Sequence, residues 1–318
     1  MTVREWLYKG NLTETGFDKT FANDPSDILC VMQKMAEYDN RTKKTAKSSI
    51  HKNAKLLKAV RRGLLRDKFI SVLKSPHILS LMLEFPDVFT AIVPEMADCV
   101  GHEQDNPYHM YNVYDHIAHA VGGYKGTDER VLVALILHDI GKPSCHVHNE
   151  TGGHFYGHAK VSAEMAETIV RDFGFKEDDA KTIISLIALH DCELAPTKKS
   201  IGRMMSKYGD EFLFMLMDVR AADANAHSDY RRGERESLQK ERIAVINQII
   251  YEREHPEFTR KDLAINGNDI IDELCLVPGR ETGKIIGSIL ESLVESVREG
   301  RADNDRETLL RLARGLNK

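Results

Sequence analysis

Cysteine is scarce in this chain and shows no pairing pattern. The five residues Cys30, Cys99, Cys145, Cys192 and Cys275 contain no CxxC and are odd in number, which supports neither a disulfide framework nor a zinc ribbon. No apolar run reaches the roughly 18 residues of a membrane span, and the opening MTVREWLYKGN lacks the apolar core of a signal peptide. A cytoplasmic location with no membrane partner is therefore expected. Strand signals are nearly absent, as are repeats and low-complexity segments, while helix-length periodic segments follow one another almost without break. The expected fold is all-α. What is present is ordinary globular material: 318 residues, 42% hydrophobic and 29% charged, enough for two or three packed modules.

Charge is spread unevenly. The net charge is -5, yet Arg41 to Lys74 carries twelve Lys or Arg against the single acid Asp67, a local balance of +11. Such a block suits a phosphate backbone, with Lys43, Lys44, Lys47, Lys52, Lys55, Arg61 and Arg62 as the contacts; it equally suits the solvated face of two amphipathic helices. Helices are expected over Ile28 to Glu37, Ser48 to Arg61 and Arg66 to Leu73, giving a basic helical front module at 1–100. A central block at 101–230 follows, with helices near His109 to Gly122, Asp128 to Asp139, Ala159 to Phe173, Glu177 to Leu189 and Asp210 to Ala226. Its Gly- and His-rich segment Lys142 to Gly157 reads as a hairpin or lid over a cleft. A helical tail occupies 231–318, with Asn268 as a cap, a turn at Pro278-Gly279 and helices over Glu281 to Arg298 and Arg306 to Leu316.

The central block holds the chemistry. His138-Asp139 ends the apolar run Val131 to Leu137, which reads as a helix buried on all sides. An imidazole and a carboxylate there must be paired or bound to a metal to offset their desolvation. A bare His-Asp pair is most often a buried hydrogen bond. Here, however, His116, His158, His190 and Asp223 also sit on helices with apolar neighbours, and each unpaired buried polar group costs on the order of 1 to 3 kcal/mol. A shared ion satisfies them together. Gly141 is expected to stop the helix, and Lys142 to place a cation beside the site. Asp191 ranks behind His190 as a ligand. His109 is expected on the same helix face as His116, as a supporting donor or a packing residue. The loop histidines His146, His148 and His154 read as solvent-exposed.

This pattern resembles the HD superfamily of metal-dependent phosphohydrolases, whose early His, adjacent His-Asp and late Asp map to His116, His138, Asp139 and Asp223. In its two-metal members two more histidines lie between the pair and the last Asp, where His158 and His190 stand. The resemblance implies one metal on His116, His138 and Asp223, a second on His158 and His190, and Asp139 bridging them. The string HDIGK is also similar to that of HD-GYP phosphodiesterases, without the GYP signature. In order, EQDNPYHMYNVYDH, LHDIGKP, GGHFYGHAKVSAEMA and DLAINGNDII resemble the part of bacterial tRNA nucleotidyltransferases that follows their catalytic head. The match also takes in TAKSSIHKNAKLLKAV and RDKFISVLKSPH, and so covers roughly residues 20 to 318. The three modules then correspond to a neck, an HD domain and a tail.

The Gly-Ser loop and DxD carboxylates of that family's head find no counterpart before Thr20, so nucleotidyl transfer is not expected of these residues. The implied activity is metal-dependent hydrolysis, as a phosphodiesterase or phosphatase, of nucleotides or RNA ends such as 2',3'-cyclic phosphates. Asp139 and Lys142 are the expected catalytic residues, Lys142 either neutralising charge in the transition state or pairing with a nearby Asp. The mixed imidazole and carboxylate set favours two divalent ions from among manganese, nickel, cobalt and iron, with magnesium less suited alone. tRNA is a possible partner. The alternative is a headless RNA-binding module, or a subunit partnering a separate head, without catalysis of its own. Oligomeric state is left open.

Overall fold

The structure is a computed structural model and describes residues 13–150, 152–277 and 279–316. The chain divides into two compact units, the first ending at Asn247 and the second beginning at Gln248. Among the described residues the only strands form one two-stranded hairpin, so the fold is all-α as expected.

The first unit opens with α1 (Glu14–Asn23), α2 (Asp27–Lys34), α3 (Asn40–Asn53), α4 (Arg62–Leu73), α5 (Ile78–Glu84) and α6 (Pro86–Ile92). The helix expected over Ser48 to Arg61 starts earlier. Asp39 caps α3 by accepting from the Thr42 amide at 2.7 Å, and after Asn53 the chain tightens into 3-10 turns over Ala54–Ala59. Phe69 of α4 packs against Phe89 and stacks on Phe173, which ties this segment to the one that follows.

Next come α7 (Val113–Gly123), α8 (Glu129–Leu137), α9 (Lys142–Cys145), the hairpin β1 (Val147–Asn149) and β2 (Gly152–His154), α10 (His158–Asp172), α11 (Glu177–Leu189), α12 (Lys198–Tyr208), α13 (Asp210–Asn225) and α14 (Arg232–Glu254). Every residue from Val131 to Leu137 is 2% exposed or less. Helix α8 is thus the central rod, packed against α7, α11 and α13, and each of its large side chains contributes about 1.5–3 kcal/mol by burial. Helix α7 is shorter than expected. Asn112 caps it by accepting from the Asp115 amide at 2.9 Å, which leaves His109 in the preceding loop rather than on the helix. The Tyr114 hydroxyl donates to the Met82 carbonyl at 3.0 Å and fastens α7 to α5.

The second unit contains α15 (Gly267–Leu274), α16 (Arg280–Arg298) and α17 (Arg306–Leu316). Their apolar faces meet, with Leu263 and Ile265 of the segment before α15, in a small core that includes Ile270, Ile289, Leu293, Val294, Leu309 and Ala313. Asn266, not Asn268, caps α15: it accepts from the Asn268 and Asp269 amides, and Asp269 returns a bond from the Asn266 amide at 2.7 Å. Pro278 of the expected turn lies outside the described residues. Among the described residues no helix is long and apolar enough to cross a membrane.

Candidate metal centre

Helix termini deliver the site. His138 is the residue that follows α8, Asp139 comes next, Lys142 opens α9, His158 opens α10, and His190 follows α11. His116 comes from the middle of α7, and Asp223 from the last turn of α13. The apolar bodies of these helices fix the backbone while the ends turn polar groups toward one point. Gly141 matters here for a reason different from the one expected. Its backbone is right-handed (φ -83°), so it is no left-handed helix stop; a Cβ on it would sit 2.7 Å from the Ser162 amide nitrogen and 3.0 Å from the His158 carbonyl oxygen. Absence of a side chain lets the Asp139 turn press against the first turns of α10.

Six of the sequence-derived residues converge around the Asp139 carboxylate. Its Oδ2 lies 3.3 Å from His116 Nε2 and 3.1 Å from His138 Nε2, and its Oδ1 lies 3.3 Å from His158 Nε2 and 3.7 Å from His190 Nε2. Asp223 Oδ1 is 2.8 Å from His116 Nε2 and 3.5 Å from His138 Nε2. The donors fall into two groups that share Asp139, one of His116, His138, Asp139 and Asp223 and the other of Asp139, His158 and His190, with ligand atoms within 4.8 Å of one another in each.

The tautomers are set from behind. His138, His158 and His190 each point Nδ1 at the carbonyl three residues earlier, at 2.7, 2.8 and 2.7 Å. A carbonyl only accepts, so Nδ1 donates and Nε2 faces inward. His158 Nε2 and His190 Nε2 then oppose each other at 3.2 Å, an arrangement that needs a proton or a cation between them. His138 Nε2 and both oxygens of Asp139 are buried without a hydrogen bond, although Lys142 Nζ lies 2.7 Å from Oδ2. Close approach without hydrogen-bond alignment fits atoms arranged for coordination, and borderline imidazole with carboxylate is a donor set for divalent transition metals.

Electrostatics agree. Burial alone would raise the Asp139 carboxyl, yet the charges of His138 and Lys142 hold it well below the usual carboxylate range. Asp223 is likewise held well below that range against its burial, by His227 and His116. Burial opposes the imidazolium of His138, but the Asp139 charge overrides it and pushes the pKa up to about 10, whereas burial takes His116 down to about 4 and His190 down to about 3. The centre is an acidic nucleus that draws positive charge inward.

Lys142 is 4% exposed; it pairs with Asp139, one of the two roles expected of it, and it also borders the cleft. Gln104 Oε1 accepts from its Nζ at 2.9 Å, and His109 Nε2 lies 3.3 Å from it. His190 faces Asp139, while Asp191 lines the cleft. The expected hairpin forms, and Gly153, His154, Phe155 and Tyr156 wall a cavity of about 550 Å³ over the centre. A second cavity of about 600 Å³ shares His190, Asp191, Asp223 and His227 with the first and continues to Arg220, Lys240 and Arg242. Arg220 and Arg242 each donate to one backbone carbonyl, of Cys192 at 2.8 Å and Leu194 at 2.7 Å, and have no carboxylate partner among the described residues. Neither they nor Gln104 and His227 stood out in the sequence. For His227 a signal existed, its spacing of four from Asp223.

Of the seven basic-block residues, three are held in ion pairs. Lys47 pairs with Glu84, Lys52 with Asp18, and Arg62 with Glu95 and Asp172. Lys43, Lys44, Lys55 and Arg61 make no ion pair among the described residues.

Comparison with known proteins places this geometry. The family model for the HD domain matches residues 108–257. The chain is 24% identical over 239 residues to the A-adding tRNA nucleotidyltransferase of Deinococcus radiodurans, covering 71% of this chain and 53% of that protein. It is 25% identical over 235 residues to the CC-adding tRNA nucleotidyltransferase of Thermus thermophilus, covering 72% and 51%. The chain spans about half the length of these curated relatives. Among solved structures, the crystal structure of the Bacillus stearothermophilus CCA-adding enzyme in complex with CTP aligns over 95% of this chain and 64% of that one, with 15% identity and a TM-score of 0.45. The segment 108–257, which carries the histidine and aspartate cluster, matches the HD domain, and the chain as a whole has sequence similarity to tRNA nucleotidyltransferases.

Proposed function

We propose that the protein is a metal-dependent phosphohydrolase acting on phosphoesters of nucleotides or RNA ends, 2',3'-cyclic phosphates among them. The carrying observation is the pair of donor groups that share Asp139 beneath an open cavity. In this reading His116, His138 and Asp223 hold one divalent ion, His158 and His190 hold a second, and Asp139 binds both. Such ions supply Lewis acidity and a hydroxide nucleophile at neutral pH. Manganese, cobalt, nickel or iron suits the donors better than magnesium alone.

The protein's own groups do the rest. Lys142, fixed by Gln104 and Asp139, keeps a positive charge at the cleft wall where phosphate charge develops. The hairpin walls one side of the cleft. Arg220 and Arg242, with donors left over, suit a second anionic group of the substrate, as a nucleotide or RNA end provides. Cavities of this size match a mononucleotide or the last residue of a strand. A second reading, tRNA binding with or without catalysis, draws on the names of the curated relatives and on the unpaired Lys43, Lys44, Lys55 and Arg61.

The test is a hydrolysis screen over cyclic nucleotides, nucleoside mono- and triphosphates and tRNA with defined 3' ends, in magnesium, manganese, cobalt and nickel. Phosphate or ring-opened product is expected from at least one class with wild type and none with Asp139→Asn. Turnover that survives Asp139→Asn, or no turnover of any substrate in any metal, overturns the hydrolase reading.

A further inference from the structure

We infer that the hairpin carries its own divalent metal site, built from Asp105, His146 and His148 and separate from the Asp139 centre. One ligand atom from each of these three residues lies within 4.8 Å of the others. They come from two segments. His146 and His148 are two apart in the extended backbone that runs into β1, so both project from the same face, and Asp105 meets them from the loop before α7.

His146 is the informative member. Its Nδ1 lies 2.9 Å from His102 Nε2, and its Nε2 is buried with no hydrogen-bond partner among the described residues. If His102 donated to His146 Nδ1, the one N–H proton of a neutral His146 would be stranded on that buried Nε2. Donation from His146 Nδ1 to His102 leaves instead an inward Nε2 lone pair, the form in which imidazole binds a metal. A lone pair set beside the carboxylate of Asp105 is repulsive until a cation joins them. The backbone is shaped for the approach: Asp105 adopts φ +50°, unusual outside glycine, and its carbonyl accepts from the Gly153 amide at 2.9 Å. Gly153 has no side chain where a Cβ would sit 2.8 Å from His146 Nε2 and 2.3 Å from the Gln104 carbonyl. Three protein ligands leave room for water, as in an exchangeable site, and one carboxylate with two imidazoles suits zinc, cobalt or nickel.

An ion here would also bear on the cleft. Gln104, which holds Lys142, is the neighbour of Asp105, and the strand opposite His148 supplies the cleft wall at Gly153 and His154. The ion clamps the hairpin to that loop and steadies both.

Cobalt(II) titration of the full chain, read by visible absorption and by metal count after removal of free ion, tests this. Asp139→Ala should keep one equivalent of cobalt, and Asp139→Ala combined with His148→Ala should lose it; His148 is exposed, so the change spares the core. His148→Ala alone should lower the wild-type count by one equivalent and speed amide exchange at residues 152–154 in the presence of cobalt. An Asp139→Ala protein that binds no more cobalt than the double variant overturns the proposal, whatever the hydrolysis screen returns.

Discussion

The histidine and aspartate centre and the Arg41–Lys74 segment are both dense in polar groups along the sequence, and they end in opposite situations. At the centre, groups from five helices turn toward one carboxylate, and buried atoms such as His138 Nε2 and Asp139 Oδ1 make close contacts but no hydrogen bond among the described residues. In the basic segment, charges that are neighbours in sequence part company. Lys47, Lys52, Arg62, Arg66 and Lys68 each reach an acid outside the segment, Glu84, Asp18, Glu95, Glu129 and Asp27 respectively. A local charge balance therefore overstates the field that a ligand meets, because folding supplies counter-charges from elsewhere. Buried polar residues on apolar helices are the more dependable sign, since no surface acid can reach them.

Asp139→Ala breaks the comparison hardest. With the shared carboxylate gone, metal content should fall and turnover should drop more than about 100-fold, beyond the effect of losing even a supporting residue of a metal site. Circular dichroism should stay unchanged, because the apolar run of α8 holds the helix. Full activity in this variant would make the centre a structural knot. Loading the wild type with manganese at about 100 times its dissociation constant should then add about 2.7 kcal/mol, or roughly 5 to 10 °C in Tm, over chelated protein. An unchanged Tm speaks against a built site. Gly141→Ala is the next largest: a Cβ 2.7 Å from the Ser162 amide must displace α10, at a cost of about 1–3 kcal/mol and with weaker binding to the His158 and His190 group. Tm and cobalt titration check both, and a neutral substitution would mean that the turn yields.

The amino-acid sequence showed the helices and the six converging residues because burial imposes a local signature. Val131 to Leu137 has no polar face, and His138 and Asp139 end it. What it concealed was of two kinds. Caps decided boundaries within a few residues: Asp39 started α3 before the expected Ser48, Asn266 took the place expected of Asn268, and Asn112 left His109 off its helix. Long-range partners were invisible, as with Gln104 on Lys142 across 38 positions or His102 on His146 across 44. Gly141 was noticed for its type, but its reason lies in Ser162, a neighbour that sequence spacing does not encode.

The smallest expected effect separates paired from unpaired cations within the basic segment. Lys43→Glu, Lys44→Glu and Lys55→Glu together remove charges that have no acid partner among the described residues, so tRNA affinity at low salt should fall several-fold. The log-log salt slope should shrink by about one for each phosphate no longer neutralised. Neutralising Lys47 and Lys52 instead breaks the pairs with Glu84 and Asp18 and frees those acids. That pair of changes should lower Tm slightly, as exposed ion pairs contribute about 0–1 kcal/mol, and should alter tRNA affinity less than the first set. Filter binding over a salt series, alongside thermal melts, reads both. Equal losses from the two sets would mean that tRNA senses only the summed charge, and no loss from either would remove RNA from this surface.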